Sequence, residues 1–341
     1  MTAALEVLRT IHAAGYKPHA PLAAIDWTNE EGARFPKMCC ASSVWSGSQK
    51  VEAQHALEDL EGTQMKAELE RIGFLGKEKC SYIDMPLSAH FELHIEQGPI
   101  LEKEGKKIGV VGGVQAMRWY KVTCSGREGH AGATPMDNRA DALLAAAKLI
   151  AVVNTSSIAH GAVGTVGIVK TATEAVNTIV GGAWFTIDLR CPYEHELDAI
   201  EQELKDAAKK ITSADGVMFS FEQTWDCPAV RFDKTALSCV RAAGEEYIGK
   251  EMCREMDSAA GHDRFHTPWI RLTYSAETSM RVPTAMIFVP SKDGISHNPN
   301  EYTSKEEWYK SNCDKKLTTS ADGAQVLLNA VLKYDSILQG E

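Results

Sequence analysis

The sequence predicts an α/β protein in which one domain is interrupted by another. Three observations carry this prediction. Short apolar runs ending in polar clusters occur near both ends of the chain, the middle reads strand, helix, strand, strand, helix, strand, and a helix–strand rhythm resumes after Pro228. The implied boundaries are residues 1–115 and 226–341 for the outer domain and 116–225 for the inserted one. At 341 residues, both parts are long enough to bury a core.

Taken in order, Leu5, Leu8 and Ile11 recur at helical spacing over 3–14, and Gly15 closes the helix as a C-cap glycine would. Leu22 to Trp27 is a short apolar run that reads as a buried parallel strand delivering Thr28, Asn29, Glu30, Glu31 and Gly32 at its C-terminal end, where open α/β sheets place chemistry. Helices are expected over 48–60 and 63–72. From Phe91 to Gln97 the pattern alternates, Phe91, Leu93 and Ile95 facing one way and Glu92, His94 and Glu96 the other, so this is a strand. In the middle, strands over 120–124, 164–171, 183–189 and 217–223 with helices over 140–153 and 195–211 give the split βαββαβ unit, an antiparallel sheet with two helices on one face. Beyond it the pattern predicts a helix over 234–248, a strand over 285–289 and a terminal helix over 323–338.

Composition excludes several classes. Hydrophobic residues at 44% and charged residues at 24% describe a folded chain, not a disordered or fibrous one. A net charge of -10 argues against a phosphate-binding face, so nucleic acid is not an expected partner. The nine cysteines are odd in number, include the adjacent Cys39 and Cys40, and contain no CxxC spacing, so they read as reduced thiols of a cytoplasmic protein. The first ten residues lack the pattern of a signal peptide, and no uninterrupted apolar run is long enough to span a bilayer.

The residues that can carry chemistry sit at strand ends. Glu30 and Glu31 offer one carboxylate to ligate a cation and a neighbour to accept a proton from water, although two adjacent glutamates also suit a solvated turn. His94 is a polar residue within a strand, and His297 follows the apolar strand 286–289 in SKDGISHNPNE. A satisfied core histidine is the plain alternative for His94. His130 lies in the turn GHAGATPM, Arg190 ends a strand with a fork suited to a carboxylate or to a structural ion pair, and His262 sits in the small-residue turn DSAAGHD. His90 and His94 share an i, i+4 spacing, but the segment alternates as a strand does, which argues against an HExxH zinc helix.

Together these segments resemble the amidohydrolase branch of the zinc-dependent aminoacylase and carboxypeptidase superfamily: the N-carbamoyl-L-amino-acid hydrolases, allantoate amidohydrolases and fungal-type β-ureidopropionases. The resemblance covers most of the chain and rests on TNEEGARF (28–35), ELHIEQGPILE (92–102), GHAGATPMDNRADAL (129–143), VNTIVG with IDLR, DSAAGHD, and MIFVPSKDGISHNPNEYTS (286–304). It implies an aminopeptidase-like catalytic domain, with helices around a mixed, largely parallel sheet, interrupted by a lid domain that also dimerises. It also implies Glu31, His94 and His297 as ligands of zinc or manganese and Glu30 as general base. Gln97, Asn177, Arg190 and His262 would contact substrate, Arg190 through its carboxylate, while His130 would reach across a homodimer to polarise the scissile carbonyl. The activity implied is hydrolysis of the ureido or carbamoyl C–N bond of N-carbamoyl amino acids or allantoate. A dipeptidase or aminoacylase on the same scaffold is disfavoured by His94, which stands where those enzymes usually carry a carboxylate.

The chain also departs from that pattern. In the family, a His-x-Asp motif and a loop bearing a bridging Asp come before the helix corresponding to 3–14, and this sequence starts at Met1. With one anion fewer between them, two divalent ions would repel each other, so the expectation is at best a single ion on Glu31 and His297, with His94 lacking a second ligand beside it. Segments 264–274 and 305–319 read as insertions. Retained intron sequence or a mis-set start codon would explain all three departures. A non-catalytic dimerising relative is the alternative that the missing ligands favour.

Overall fold

The computed structural model describes residues 1–258, 274–296, 298 and 319–340. The chain divides into two compact units, residues 1–114 with 231–341, and residues 115–230.

The first unit is built on β1 (His90–Ile95), β2 (Ile108–Val114), β10 (Val230–Arg231), β11 (Cys253–Ser258) and β12 (Thr284–Val289). Strand order is β1-β12-β2-β10, and β11 also pairs with β2. β1 lies parallel to β12 and β11 parallel to β2, while β12 and β2 are antiparallel, so the sheet is mixed. All six residues of β12 are buried, as expected of a strand covered on both faces. Alternation along β1 shows what covers it. Phe91 stacks edge-on against Tyr334 of the terminal helix, whereas Thr278 of the helix Tyr274–Ser279 lies 3.0 Å from His90 Nδ1. Helices therefore flank both faces.

The helices of this unit are α1 (Thr2–Ala13), α2 (Cys40–Ser46), α3 (Val51–His55), α4 (Met65–Arg71), α5 (Ile100–Lys103), α8 (Lys234–Ile248), α9 (Tyr274–Ser279) and α10 (Thr319–Gln339). α3 and α4 are shorter than the sequence pattern over 48–60 and 63–72 implies, because Ala56–Thr63 turns back through a bridge between Glu58 and Gln64. The strand expected over Leu22–Trp27 does not form. That segment has no regular secondary structure and pairs in no ladder. Leu22, Ile25 and Trp27 instead pack by side chain along a cavity of about 290 Å³, shared with α1, α10 and β1. Asp335 of α10 fixes the approach to it, accepting from Tyr16 Oη at 3.0 Å and from the amides of His19 and Ala20 at 2.9 and 3.1 Å.

The second unit holds β3 (Ala116–Ser125), β4 (Gly129–His130), α6 (Ala142–Ala159), β5 (Val163–Thr165), β6 (Val169–Thr171), β7 (Thr178–Ile179), β8 (Gly182–Cys191), α7 (Glu194–Asp215) and β9 (Met218–Cys227). Its sheet runs β5-β8-β3-β9, antiparallel throughout, with β6 also on β8. The single strand expected over 164–171 is broken into β5 and β6. Leu149, Val153, Leu197, Ile200 and Leu204 of the two helices close the core against Phe185, Ile187 and Leu189 of β8. Among the described helices, α6 alone is long and apolar enough to cross a bilayer by length and composition, yet Ala142, Ala145, Ala146 and Leu149 are wholly buried in this core. Eight of the nine cysteines are described, all as free thiols.

His90 has a consequence for stability. It is buried, lies edge-on to Trp27 at 6.2 Å, and burial lowers its pKa from 6.5 to about 4. As pH falls through that window, the unfolded chain takes up a proton that the folded one refuses, so the folded state loses stability. Between pH 7 and 5 the loss is about 2 kcal/mol at ~1.4 kcal/mol per pH unit. Urea denaturation at the two pH values is expected to show that extra loss in the native protein and not in His90→Gln; equal losses would refute a neutral buried His90.

Candidate active site

The segment TNEEGARF folds as a turn in which most residues serve the backbone. Asn29 adopts a left-handed conformation (φ 53°), which Asn tolerates better than most residues. Its Nδ2 donates to the carbonyls of Phe35 at 3.2 Å and Lys37 at 2.7 Å. Arg34 donates to Asp59 at 3.0 Å and to Glu68 at 2.6 Å, while Phe35 packs on Cys40 and Met65. Arg71 and Arg34 together hold the Glu68 carboxyl down at about 2. The Cys39 amide donates to the Glu30 carbonyl at 2.9 Å. These anchors fix the turn that carries Glu30, half-buried, and Glu31, exposed.

Glu30 is the perturbed group of the site. Burial first, then the neighbouring Glu31 and Glu92 carboxylates, push its pKa up to about 7, and His94 opposes them. A carboxyl poised near neutrality can both take and return a proton. Glu92 is itself buried and accepts from the Ser275 hydroxyl of α9. Burial, reinforced by Glu30, Glu277 and Glu92, raises the Cys39 thiol well above its ordinary value, so this cysteine is no nucleophile. Glu277 in turn accepts from Ser46 and Ser48 hydroxyls, each at 2.8 Å, which ties α2 to α9.

His94 Nδ1 lies 2.6 Å from the carbonyl oxygen of Ile95. That bond puts the ring proton on Nδ1 and leaves the Nε2 lone pair for a ligand, as is usual for metal-binding histidines. The ladder runs on past β1, the Glu96 amide donating to Val289 O at 2.8 Å. Glu96 accepts from the amides of Ile100 and Leu101, both at 2.8 Å, and so caps α5. Gln97 turns left-handed there (φ 56°). The loop after β12 lies against this turn: the Asp293 amide donates to Glu102 at 2.7 Å. A Cβ on Gly294 would stand 2.6 Å from the Pro99 nitrogen, so only glycine allows the approach. The two loops leave the C-terminal ends of adjacent parallel strands side by side.

Within the second unit, β4 pairs with β7 so that His130 faces Thr178, and the Ala131 amide donates to Asn177 O at 2.9 Å. His130 and Asn177 are thus brought together, both exposed. The amides of Gly132 and Ala133 donate to His130 Nδ1 at 3.1 and 3.2 Å, which places the ring proton on Nε2. Buried Arg190 forms a fork with Asp188 of the same strand, Nε to Oδ1 at 3.0 Å and an Nη to Oδ2 at 2.8 Å. His262, His297 and most of segments 264–274 and 305–319 lie outside the described residues.

Glu31 and His94 offer an oxygen and a nitrogen donor, a mixed set that suits zinc or manganese. Among the described residues no three His, Cys, Asp or Glu side chains group closely enough to hold a metal ion; the third named donor, His297, is not among them. Glu92 and Asp188 have no assigned role in the sequence reading. Glu92 was visible as the residue sharing a strand face with His94, and Asp188 as the i−2 neighbour of Arg190.

Residues 1–313 match the peptidase family M20/M25/M40. The chain is 38% identical over 337 residues to an N-carbamoyl-L-amino-acid amidohydrolase of Rhizobium meliloti, covering 98% of this chain and 74% of that protein. It is 35% identical to a ureidoglycolate hydrolase of Oryza sativa, over 89% of this chain and 62% of that one. The crystal structure of an amidase of the hydantoinase/carbamoylase family from Burkholderia multivorans superposes with a TM-score of 0.83 at 37% identity, over 97% of this chain and 74% of that one. A match of this extent, in sequence and in fold, establishes that the chain belongs to peptidase family M20/M25/M40.

Proposed function

We propose that this chain is a metal-dependent amidohydrolase that cleaves the ureido or carbamoyl C–N bond of N-carbamoyl amino acids or allantoate-like substrates. The observation that carries this reading is Glu30, raised to about 7 among Glu31, Glu92 and His94, in a chain so similar to an N-carbamoyl-L-amino-acid amidohydrolase. The rice relative named for ureidoglycolate supports ureido substrates as a class.

Glu31 and His297 would hold a zinc or manganese ion, and His94 Nε2 offers a further nitrogen donor; when bound, the ion supplies Lewis acidity at the scissile carbonyl. Glu30 accepts a proton from the attacking water on a carboxylate oxygen and returns it to the leaving nitrogen. A C–O bond forms as the C–N bond breaks, and the carbamoyl group leaves as carbon dioxide and ammonia. His130, its proton on Nε2, donates to the carbonyl oxygen as charge develops there, a role that can contribute several kcal/mol. Gln97, Asn177 and His262 contact substrate, and Arg190 takes its carboxylate by sharing the fork now held by Asp188. The working form is a cytoplasmic homodimer in which His130 serves the partner's site.

Three substrate sets test the reading: N-carbamoyl amino acids, allantoate and N-acyl amino acids. Ammonia release is expected from the first or second, falling about 10²–10⁴-fold in Glu30→Gln with KM little changed. Silence on the first two would sink the proposal, and hydrolysis of the N-acyl set alone, read as release of the free amino acid, would favour an aminoacylase instead. Metal titration followed by elemental mass spectrometry is expected to give one ion per chain, lost in Glu31→Gln and His297→Ala and kept in His94→Ala. Two tight ions would overturn the single-ion assignment.

A further inference from the structure

The loop that carries His130 is held by a residue with no role assigned so far. The Arg139 guanidinium, half-buried, donates from Nε to Thr134 O at 3.1 Å and from Nη2 to Thr134 O at 2.9 Å and to Ala131 O at 2.7 Å. It bridges the first and last carbonyls of the turn that follows the histidine. Inside that turn the amides of Ala133 and Thr134 donate to His130 O at 3.2 and 3.1 Å, while those of Gly132 and Ala133 point at Nδ1. Arg139 is itself positioned by its neighbours. Arg127 donates to the Asn138 carbonyl and side chain at 2.7 and 3.1 Å, and its amide donates to Ala140 O at 2.8 Å. A Cβ at Gly126 would run into that same carbonyl, so the strand beneath approaches as closely as backbone allows.

An imidazole on an exposed two-residue strand has only a weak preference of its own for the Nε2–H tautomer. Two amides aimed at Nδ1 make that preference firm, because an acceptor nitrogen cannot also carry the proton. Those amides keep their aim only while the turn keeps its shape, and the guanidinium is the described side chain that ties both of its ends. A lysine in its place is a single point donor and cannot span two carbonyls in a fixed plane. We infer that Arg139 is a positioning residue that fixes the His130 turn and, through it, holds the proton on Nε2, ready to donate to the substrate carbonyl oxygen. The inference rests on the proposed role of His130 for its effect on rate, but not for its effect on the ring.

Two measurements on the full chain test it separately. Long-range 1H–15N correlation spectra of His130 are expected to show the Nε2–H tautomer in the native protein and a mixture with Nδ1–H in Arg139→Ala and Arg139→Lys. An unchanged tautomer in a folded Arg139→Lys would overturn the inference. In the second, the kcat for ammonia release is expected to fall at least tenfold in Arg139→Ala with KM within about twofold. His130→Ala combined with Arg139→Ala is expected to be no slower than His130→Ala alone, since a residue acting through another adds nothing once that other is gone. Additive losses would show Arg139 acting elsewhere and overturn the inference. If His130→Ala leaves kcat untouched, the role given to His130 in the reaction fails, and the tautomer result still decides what Arg139 does.

Discussion

The parallel register of β1 with β12 is the constraint on which the rest of the first unit depends. Pairing His94 with Phe288 and Ile95 with Val289 ends two strands at the same level, and the Glu96 amide carries the ladder one residue further. Only then can the loop after His94 and the loop after Val289 lie in contact, with Gly294 admitting the Pro99 backbone. The carboxylates beside them are held from the other side, where Ser46 and Ser48, at and just after the end of α2, donate to Glu277 and Ser275 of α9 donates to Glu92. Residues from four separate stretches thus meet at one sheet edge, and local sequence alone would place none of them together.

Much of the architecture was nonetheless legible. In β1 the alternation assigned Phe91 and Leu93 to one face and Glu92 and His94 to the other, and the contacts of Phe91 with Tyr334 and of Glu92 with Ser275 bear out that division. The βαββαβ order was readable because a strand such as β8 alternates along most of its length and α6 opens at a cap, Asp141, which accepts from the amides of Leu143 and Leu144. Leu22 to Trp27 misled because an apolar run reports burial, not pairing. Its side chains are sheltered by α1 and α10, and two of its six residues are alanines, which favour strands weakly.

The site divides in the same way. Residue types and spacing marked Glu30, Glu31 and His94 only through their combination, because an acidic pair at a turn and a histidine in a strand each have a plain alternative by themselves. What spacing could not express is the company each side chain keeps. Arg190 reads as a fork awaiting a carboxylate, and it already holds Asp188 two residues back. Arg34, within a motif that draws attention to its acids, works entirely for the scaffold. The field at Glu30 depends on Glu92, which lies more than sixty residues along the chain, and such long-range electrostatics leave no local signature.

The division of the first unit into residues 1–114 and 231–341 has a consequence for how the protein is made. On the ribosome β1 emerges roughly 190 residues before the strand it pairs with, which at ~5–20 residues per second is a wait on the order of 10–40 s. Throughout that interval the second unit, whose strands pair among themselves, can complete its fold. The nascent first half meanwhile exposes Phe91 and Leu93 with no sheet to receive them. Chaperone demand should therefore concentrate on this early segment, and vanish when β12 clears the exit tunnel.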